Sequence, residues 1–189
     1  MSIFDEKAYD YLTQPDNWPI AKEIKDKMID VESRLLNEFW DDVKKGIKGK
    51  LGSKEWEVKI SEDIYDAYSN ISISHLMWEN LFLIVYEELE EKTYIGVWCD
   101  LDLKKVPDAL FRQIGGKLLE KDNRMVSNWG NSYGYTCYFY TGDDFRQTQT
   151  LNRILPSNRK TIVDKYTSEF IGLLEKAKPI IDEAMKQLK

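Results

Sequence analysis

The alternation of apolar and polar residues is clearest between Ile71 and Cys99, where it predicts three neighbouring β-strands. Three apolar runs rich in β-branched and aromatic residues are separated by Glu79-Asn80 and by the acidic stretch from Glu87 to Lys92. In the middle run, residues 81–86 are apolar at both odd and even positions, so both faces of that strand are apolar. Since such a strand is normally covered on both sides, we expect it at the centre of an antiparallel sheet. The side chains predicted to be nearly inaccessible are Leu83, Ile84, Val85, Ile95 and Val97.

Two long amphipathic helices are predicted on either side of these strands, over residues 19–47 and 159–188. Apolar residues recur there at steps of three or four, which places them on one face of a helix. Asn17 and Pro19 suit the start of the first helix, as a capping side chain and a residue that needs no N–H donor. The first apolar stripe consists of Ile20, Ile24, Met28, Val31, Leu35, Phe39, Val43 and Ile47, widened by Leu36 and Trp40. The second consists of Ile162, Tyr166, Phe170, Leu173, Leu174, Ala177, Ile181, Met185 and Leu188.

The remaining elements complete an α+β fold. A strand at residues 56–60 alternates apolar and charged side chains, which indicates an edge position with one solvated face. A middle helix begins at Pro107, and an aromatic strand spans Tyr133–Tyr140. We expect an antiparallel sheet of about five strands packed against a long N-terminal helix, the middle helix and a long C-terminal helix. Residues 1–16 are predicted to form a short arm and residues 17–189 a single domain. The first long helix is expected to end at Gly46, Gly49 and Gly52.

Composition indicates a folded, soluble domain. The chain has 189 residues, of which 42% are hydrophobic and 32% charged. Its longest uncharged apolar run, residues 80–86, is far shorter than the roughly 20 residues that cross a bilayer, so no membrane contact is predicted. The first residues carry acids and no long apolar stretch, unlike a signal peptide, and we therefore expect a cytoplasmic protein. In that compartment Cys99 and Cys137 are predicted to stay reduced and buried.

The single histidine, His75, is the first candidate for chemistry. It alternates with Ile71 and Ile73 on one face of a predicted strand. One histidine cannot build a multi-histidine metal site, and no GxSxG, HExxH or CxxC motif marks a nucleophile or a zinc site. We therefore expect a histidine in the core or at its rim that has a hydrogen-bond partner.

Acidic residues suggest a second hypothesis, a metal site of the kind that nucleases use. Asp100 and Asp102 follow a predicted strand, and Asp102 with Lys104 forms an acid-x-Lys pattern, as does Glu57 with Lys59. Metal-dependent nucleases hold Mg²⁺ with two such acids and use the lysine to stabilise charge or position water. Because acid-x-Lys arises by chance in a chain rich in charge, surface charge is the simpler interpretation, and we predict no cofactor.

Aromatic residues suggest a third hypothesis, a binding surface on the sheet. The candidates are Trp129, Tyr133, Tyr135, Tyr138 and Tyr140. Exposed rings on a sheet stack nucleic-acid bases when lysine and arginine residues lie beside them. Residues 51–104, which supply most of the sheet, carry four lysines against twelve acids. A protein partner is therefore favoured over nucleic acid.

The order of these pieces is similar to that in a known family. The shared features are the helix residues Asn37-Glu38-Phe39-Trp40, a strand near Trp56, Trp78 followed by LFLIVYEE and YIGVW, an aromatic strand after Trp129, and the closing helix FIGLLEKAKPIID. Over roughly residues 20–185 the chain resembles the C-terminal region of bacterial PD-(D/E)XK nuclease-superfamily proteins linked to phage defence. The resemblance implies a stand-alone accessory or recognition domain from a phage, a mobile element or a defence locus. The catalytic motifs of that family's nuclease domain have no matching positions here, so the resemblance assigns no catalytic residue.

The long helices also bear on the oligomeric state. At ~1.5 Å per residue each is longer than ~40 Å, whereas strands of about five to eight residues reach only ~17 to 27 Å. Part of each apolar stripe must then pack away from the sheet. Pairing of the two helices hides this surplus within one chain, and pairing with a second copy is the rival explanation. The first explanation is slightly favoured, which predicts a monomer.

A nuclease assay separates the two functional hypotheses. The leading one is an accessory or recognition module that acts through protein contacts; the alternative is a metal-dependent nuclease or nucleic-acid-binding domain that uses Asp100, Asp102 and Lys104. Under the leading hypothesis, plasmid DNA incubated with the purified protein and Mg²⁺ or Mn²⁺ stays intact on an agarose gel. Cleavage that disappears in the Asp102→Ala variant would establish the alternative.

Overall fold

Helices and strands account for most of the chain that the structure describes. The computed structural model describes residues 3–60, 70–79, 81–89, 92–99, 106–127 and 134–188. The helices in these residues are α1 (Ile3–Leu12), α2 (Asn17–Leu51), α3 (Asp108–Lys121), α4 (Thr148–Ile154) and α5 (Lys160–Gln187). The strands are β1 (Trp56–Ile60), β2 (Asn70–His75), β3 (Phe82–Leu89), β4 (Lys92–Cys99), β5 (Val126–Ser127) and β6 (Tyr135–Tyr140). A 3-10 turn, Leu76–Trp78, follows β2.

The strands form one antiparallel sheet in the order β1-β2-β3-β4-β6-β5. The apolar strands β3 and β4 lie at its centre, as predicted, and β1 is an edge strand on which Glu57 and Lys59 are exposed while Val58 is buried. The α+β class is confirmed. The sixth strand was not expected, because Val126 and Ser127 are too short a run to show the alternation that marks a strand in sequence.

One face of the sheet carries the main core. The register aligns five residues in a row across the strands: Val58, Ile73, Ile84, Val97 and Cys137. None of them is more than 4% exposed, and they form one continuous cluster with buried residues of α2, α3 and α5. Cys99 and Cys137 are buried thiols, as predicted. Burial raises the pKa of the Cys137 thiol to about 11, so this residue packs as a small hydrophobic side chain.

The opposite face of the central strands is less deeply covered. Val85 on that face is 4% exposed, but its neighbour Leu83 is only half-buried, and neither belongs to the main cluster. The predicted burial is therefore confirmed for Ile84, Val85, Ile95 and Val97 and wrong for Leu83. The physical reason is that the helices share their core with the face that carries Ile84.

α2 divides into an exposed half and a buried half. The buried residues all come from its second half: Leu36, Phe39, Trp40, Val43 and Ile47. The large apolar residues of its first half are exposed: Trp18, Ile20, Ile24, Met28, Ile29 and Val31. Every residue from position 22 to position 31 is exposed whichever way it faces, because the sheet and α5 cover only the second half of the helix. Pairing of the two long helices within one chain, the favoured explanation for the part of the stripe that lies beyond the sheet, is therefore wrong for the first half of α2.

Two of the three glycines expected to end α2 lie inside it. A Cβ atom at Gly46 would lie 2.5 Å from Thr167 Oγ1, so this glycine permits the close approach of α2 and α5. Gly49 also lies within the helix. The helix ends at Gly52, whose φ of 59° is left-handed and whose N–H donates to the Lys48 carbonyl at 3.1 Å.

The other helices follow the sequence prediction more closely. α5 continues through Pro179 and buries the predicted stripe from Ile162 to Met185. α3 begins directly after Pro107 and continues through Gly115-Gly116. Residues 1–16, predicted to form a short arm, include the ten-residue helix α1. Among the described residues, none of the helices combines the length and apolarity needed to cross a bilayer.

Truncation of Ile84 tests the position of the core. Ile84→Ala is expected to lower the free energy of unfolding by about 2 to 5 kcal/mol in urea titration, because the side chain is fully buried at the centre of the sheet. Lys59→Ala on the exposed side of β1 is the matched control and should change it by less than about 0.5 kcal/mol. A loss below about 1 kcal/mol at Ile84 would contradict a central position.

Candidate functional site

The first half of α2 carries the largest group of exposed apolar side chains in the described residues. Ile20, Ile24, Met28 and Val31 are 57%, 56%, 43% and 47% exposed. They lie within an arc of ~80° around the helix, and we call these four residues the α2 face. Leu35, half-buried against the core, continues the α2 face toward the folded domain. Apolar surface of this kind is unfavourable in water until a partner covers it.

Charged residues flank the α2 face in equal numbers. Between positions 17 and 35 the cations are Lys22, Lys25, Lys27 and Arg34, and the anions are Glu23, Asp26, Asp30 and Glu32. Lys27 and Asp30 form an exposed ion pair at 3.7 Å, and Arg34 donates to Glu38 at 3.0 Å. The segment has no net charge, so it lacks the excess of cations that nucleic-acid phosphates require.

His75 lies at the end of β2 beside two tryptophans. Its ring centroid is 4.5 Å from that of Trp56 and 5.8 Å from that of Trp78, and the side chain is 4% exposed. Nδ1 accepts a hydrogen bond from the Met77 N–H at 3.2 Å, which caps the 3-10 turn. A nitrogen that accepts carries no proton, so the neutral ring holds its proton on Nε2, 3.6 Å from the Glu55 carboxylate. The expectation of a buried histidine with a hydrogen-bond partner is confirmed.

A cleft of about 340 Å³ opens above His75. Its lining residues are Glu55, His75, Met77, Lys178, Asp182, Met185 and Lys186. Asp182 accepts hydrogen bonds from Trp78 Nε1 at 2.9 Å and from Lys178. Burial by itself raises the pKa of Asp182, but these hydrogen bonds outweigh it and hold the pKa below its ordinary value. The lining contains two acids and two lysines, so the charge of the cleft favours neither an anionic nor a cationic ligand.

Two of the predicted aromatic residues lie together on the sheet. Tyr138 is half-buried and Tyr140 is 50% exposed, with ring centroids 5.5 Å apart, and Tyr94 completes the group at 5.3 Å from Tyr138. A hydrogen bond with Tyr140, together with burial, raises the pKa of Tyr138. A register shift in the pairing of β4 with β6 sets Tyr135 opposite Trp98 in the backbone register.

Of the three predicted metal-binding carboxylates, Glu57 lies in the part of the chain that the structure describes. Glu57 is exposed on β1 and pairs with Lys59 at 2.9 Å, as surface charge does. Within the part of the chain that the structure describes, no three His, Cys, Asp or Glu side chains are grouped to hold a metal ion. The remaining sequence candidates lie outside the described residues: Asp100, Asp102, Lys104, Trp129 and Tyr133.

Sequence reasoning did not find the buried aspartate Asp143. It is 7% exposed, and its carboxylate accepts hydrogen bonds from Arg153, from Lys165 and from the Tyr166 hydroxyl at 3.1 Å. Burial by itself raises the pKa of Asp143, but the pairs with Lys165 and Arg153 outweigh it and lower the pKa. This network joins the segment after β6 to α4 and α5. The sequence offers no signal for it, because the partners lie 10 to 23 positions away.

Asp122 forms a similar network at the end of α3. It is 6% exposed and accepts hydrogen bonds from Arg124 Nη2 and Lys176 Nζ, both at 2.9 Å. The hydrogen bond from Arg124 holds the pKa of Asp122 well below its ordinary range. The Arg124 guanidinium also lies 4.3 Å from the centroid of the Phe139 ring. Like Asp143, this aspartate forms ion pairs within the chain that connect one element of the fold to another.

Comparison of the chain with protein-family models, with curated proteins and with solved structures gives no match. The carboxylates of Asp143 and Asp122 are occupied by ion pairs within the chain. The side chains of the α2 face, in contrast, are exposed and available to a partner.

Acid unfolding tests the role of Asp143. A folded-state pKa below the unfolded value of about 3.9 stabilises the protein above about pH 4, and this stabilisation is lost as the pH falls through the folded pKa. Asp143→Asn is expected to cost about 3 kcal/mol at pH 7, because it leaves two cations without their partner, and less at pH 3. Chemical denaturation at both pH values measures the difference. Asp26→Asn, on an exposed part of α2, is the control, and an equal loss for Asp143→Asn at both pH values would contradict the assignment.

Proposed function

We propose that this protein is a recognition module that acts through protein contacts and that the α2 face is its contact surface. The observation that carries the proposal is the alignment of four exposed apolar side chains on one side of a helix. Aligned apolar anchors at steps of three and four are the pattern by which helices bind grooves and other helices. The resemblance to the C-terminal region of PD-(D/E)XK proteins also supports an accessory role, in phage defence or counter-defence.

The first half of α2 lies outside the core of the folded domain. Burial of α2 in the core begins only at Leu36. Each Å² of apolar surface that a partner covers contributes roughly 25 cal/mol. Binding at the α2 face would therefore stabilise the helix and the complex together.

The charge of this segment favours a protein over other partners. Helices that lie on membranes combine an apolar face with a polar face rich in lysine and arginine. Nucleic-acid surfaces likewise present an excess of cations. Residues 17–35 have four cations and four anions. A mixed charge pattern beside an apolar stripe suits a protein surface that offers its own mixed charges.

Site-specific photo-cross-linking in cells tests the proposed surface. A photoreactive phenylalanine at Met28 is expected to give a covalent adduct with a protein, and replacing Ile24 and Val31 by Lys should abolish it because charge then replaces the apolar contact. As a matched control, replacing Lys22 and Asp26 by Ala should leave the adduct unchanged, since both lie on the far side of the helix.

Urea titration of the variant with Lys at positions 24 and 31 excludes unfolding as the cause of a lost adduct. We expect its free energy of unfolding to stay within about 0.5 kcal/mol of the wild type, because both positions are exposed. An adduct that survives the Lys substitutions would show that the α2 face is not the contact surface. The absence of any adduct at Met28 in the wild type would do the same.

A further inference from the structure

We infer that the α2 face binds the α2 face of a second copy of this chain, with the two helices antiparallel. The inference rests on the proposed function, since it names the protein that covers the same surface. Three features carry it: the arrangement of charges beside the α2 face, the centre of its apolar residues, and the place where the folded domain begins.

Charged residues beside the α2 face that lie at equal distances on either side of a point between Met28 and Ile29 have opposite signs. Three pairs of residues at equal distances from that point are oppositely charged: Lys27 with Asp30, Lys25 with Glu32, and Glu23 with Arg34. From position 22 to position 35, no such pair carries like charges. When two helices pack antiparallel about this point, residues at equal distances from it come opposite one another. All three pairs then join opposite charges between the two copies.

The apolar residues are centred at nearly the same point. From Ile20 to Leu35 they extend over ~22 Å, and their midpoint lies between residues 27 and 28, within about one residue of the centre of the charges. An antiparallel pair therefore brings Ile24 close to Leu35 and Val31 of the second copy, and Met28 close to its own counterpart. The contact is isologous, as in most homodimers, because each copy contributes the same surface.

The position of the folded domain favours the same arrangement. Burial in the core begins at Leu36, directly after the α2 face. An antiparallel pair places the two domains at opposite ends of the paired helices, where they do not compete for space. A parallel pair places the two domains side by side and sets Lys25 and Lys27 of each copy against the same residues of the other, so like charges meet.

Thiol cross-linking tests the antiparallel geometry. Met28→Cys places the two thiols near the centre of the helix pair. In Ile24→Cys, residue 24 of one copy lies opposite position 33 of the other. The two thiols are then nine positions, or ~13 Å, apart along the axis. The native cysteines Cys99 and Cys137 are buried and should not react. With a short thiol-specific reagent, Met28→Cys is expected to form a covalent dimer and Ile24→Cys is not. Equal cross-linking of both variants would overturn the antiparallel arrangement.

Exchange of the charges tests the pairing itself by light scattering across micromolar concentrations. The wild type is expected to have a mass near twice that of the 22.3 kDa chain, in place of the monomer predicted from pairing of the long helices within one chain. Two double variants set like charges opposite one another: Lys25→Glu with Lys27→Glu, and Asp30→Lys with Glu32→Lys. Each should raise the dissociation constant of the dimer at least about tenfold. The variant with all four substitutions has the wild-type charge composition and opposite charges at every pair, so it should regain the dimer.

Two results would overturn self-association. One is a wild-type mass of 22.3 kDa at every concentration without a covalent dimer in Met28→Cys. The other is a fourfold variant that fails to regain the dimer although its helix content by circular dichroism equals that of the wild type. If the first result is found, the photo-cross-link at Met28 separates the two proposals. A photo-cross-linked adduct with a different protein leaves the proposed function intact. If Met28 gives no adduct at all, both the proposed function and self-association are excluded.

Discussion

Packing of the second half of α2 against α5 and the sheet is the contact on which the rest of the structure depends. Five aromatic rings from these three layers and from the loop before α4 meet there: Phe39, Trp40, Tyr86, Phe145 and Tyr166. Trp40 lies 4.3 Å from Tyr86 on β3 and 5.4 Å from Tyr166 on α5, centroid to centroid. Tilted and edge-on arrangements of this kind gain about 0.5 to 1.5 kcal/mol per pair beyond burial. The cluster therefore fixes the direction of α2 relative to the sheet.

Ion pairs at the rim of this core join segments that are far apart in the chain. Arg159, directly before α5, donates to Glu38 at 2.8 Å and to Asp42 at 3.4 Å on α2. Asp143 pairs with Arg153 and Lys165, and Asp122 pairs with Arg124 nearby and with Lys176 on α5. Such buried charges contribute little net stability when paired, but removing one partner leaves the other uncompensated. They favour this arrangement of helices over alternatives that would leave the charges unpaired.

The aromatic core also explains why the exposed half of α2 is suited to binding. Its second half is held by Phe39, Trp40 and Ile47, so the first half extends from the domain in a fixed direction as a continuation of the same helix. A partner then meets apolar side chains that are already ordered, and less conformational entropy is lost on binding. The cleft at His75 lies elsewhere, between the end of β2 and the last turns of α5. Its histidine accepts the hydrogen bond that caps the 3-10 turn, which is a structural role.

The sequence by itself determined the α+β class, the central position of β3 and β4, the buried stripe of α5 and the burial of both cysteines. Each depends on a local period of apolar residues, which the chain carries whatever it packs against. Only the tertiary structure decided that Ile20 and Ile24 stay exposed while Phe39 and Val43 are buried, because one helical period describes both halves of α2 and the sheet and α5 cover only one. It also decided the partners of Asp143 and the cleft at His75. Contacts between residues far apart in the chain leave no local pattern, so they arise only when the layers pack together.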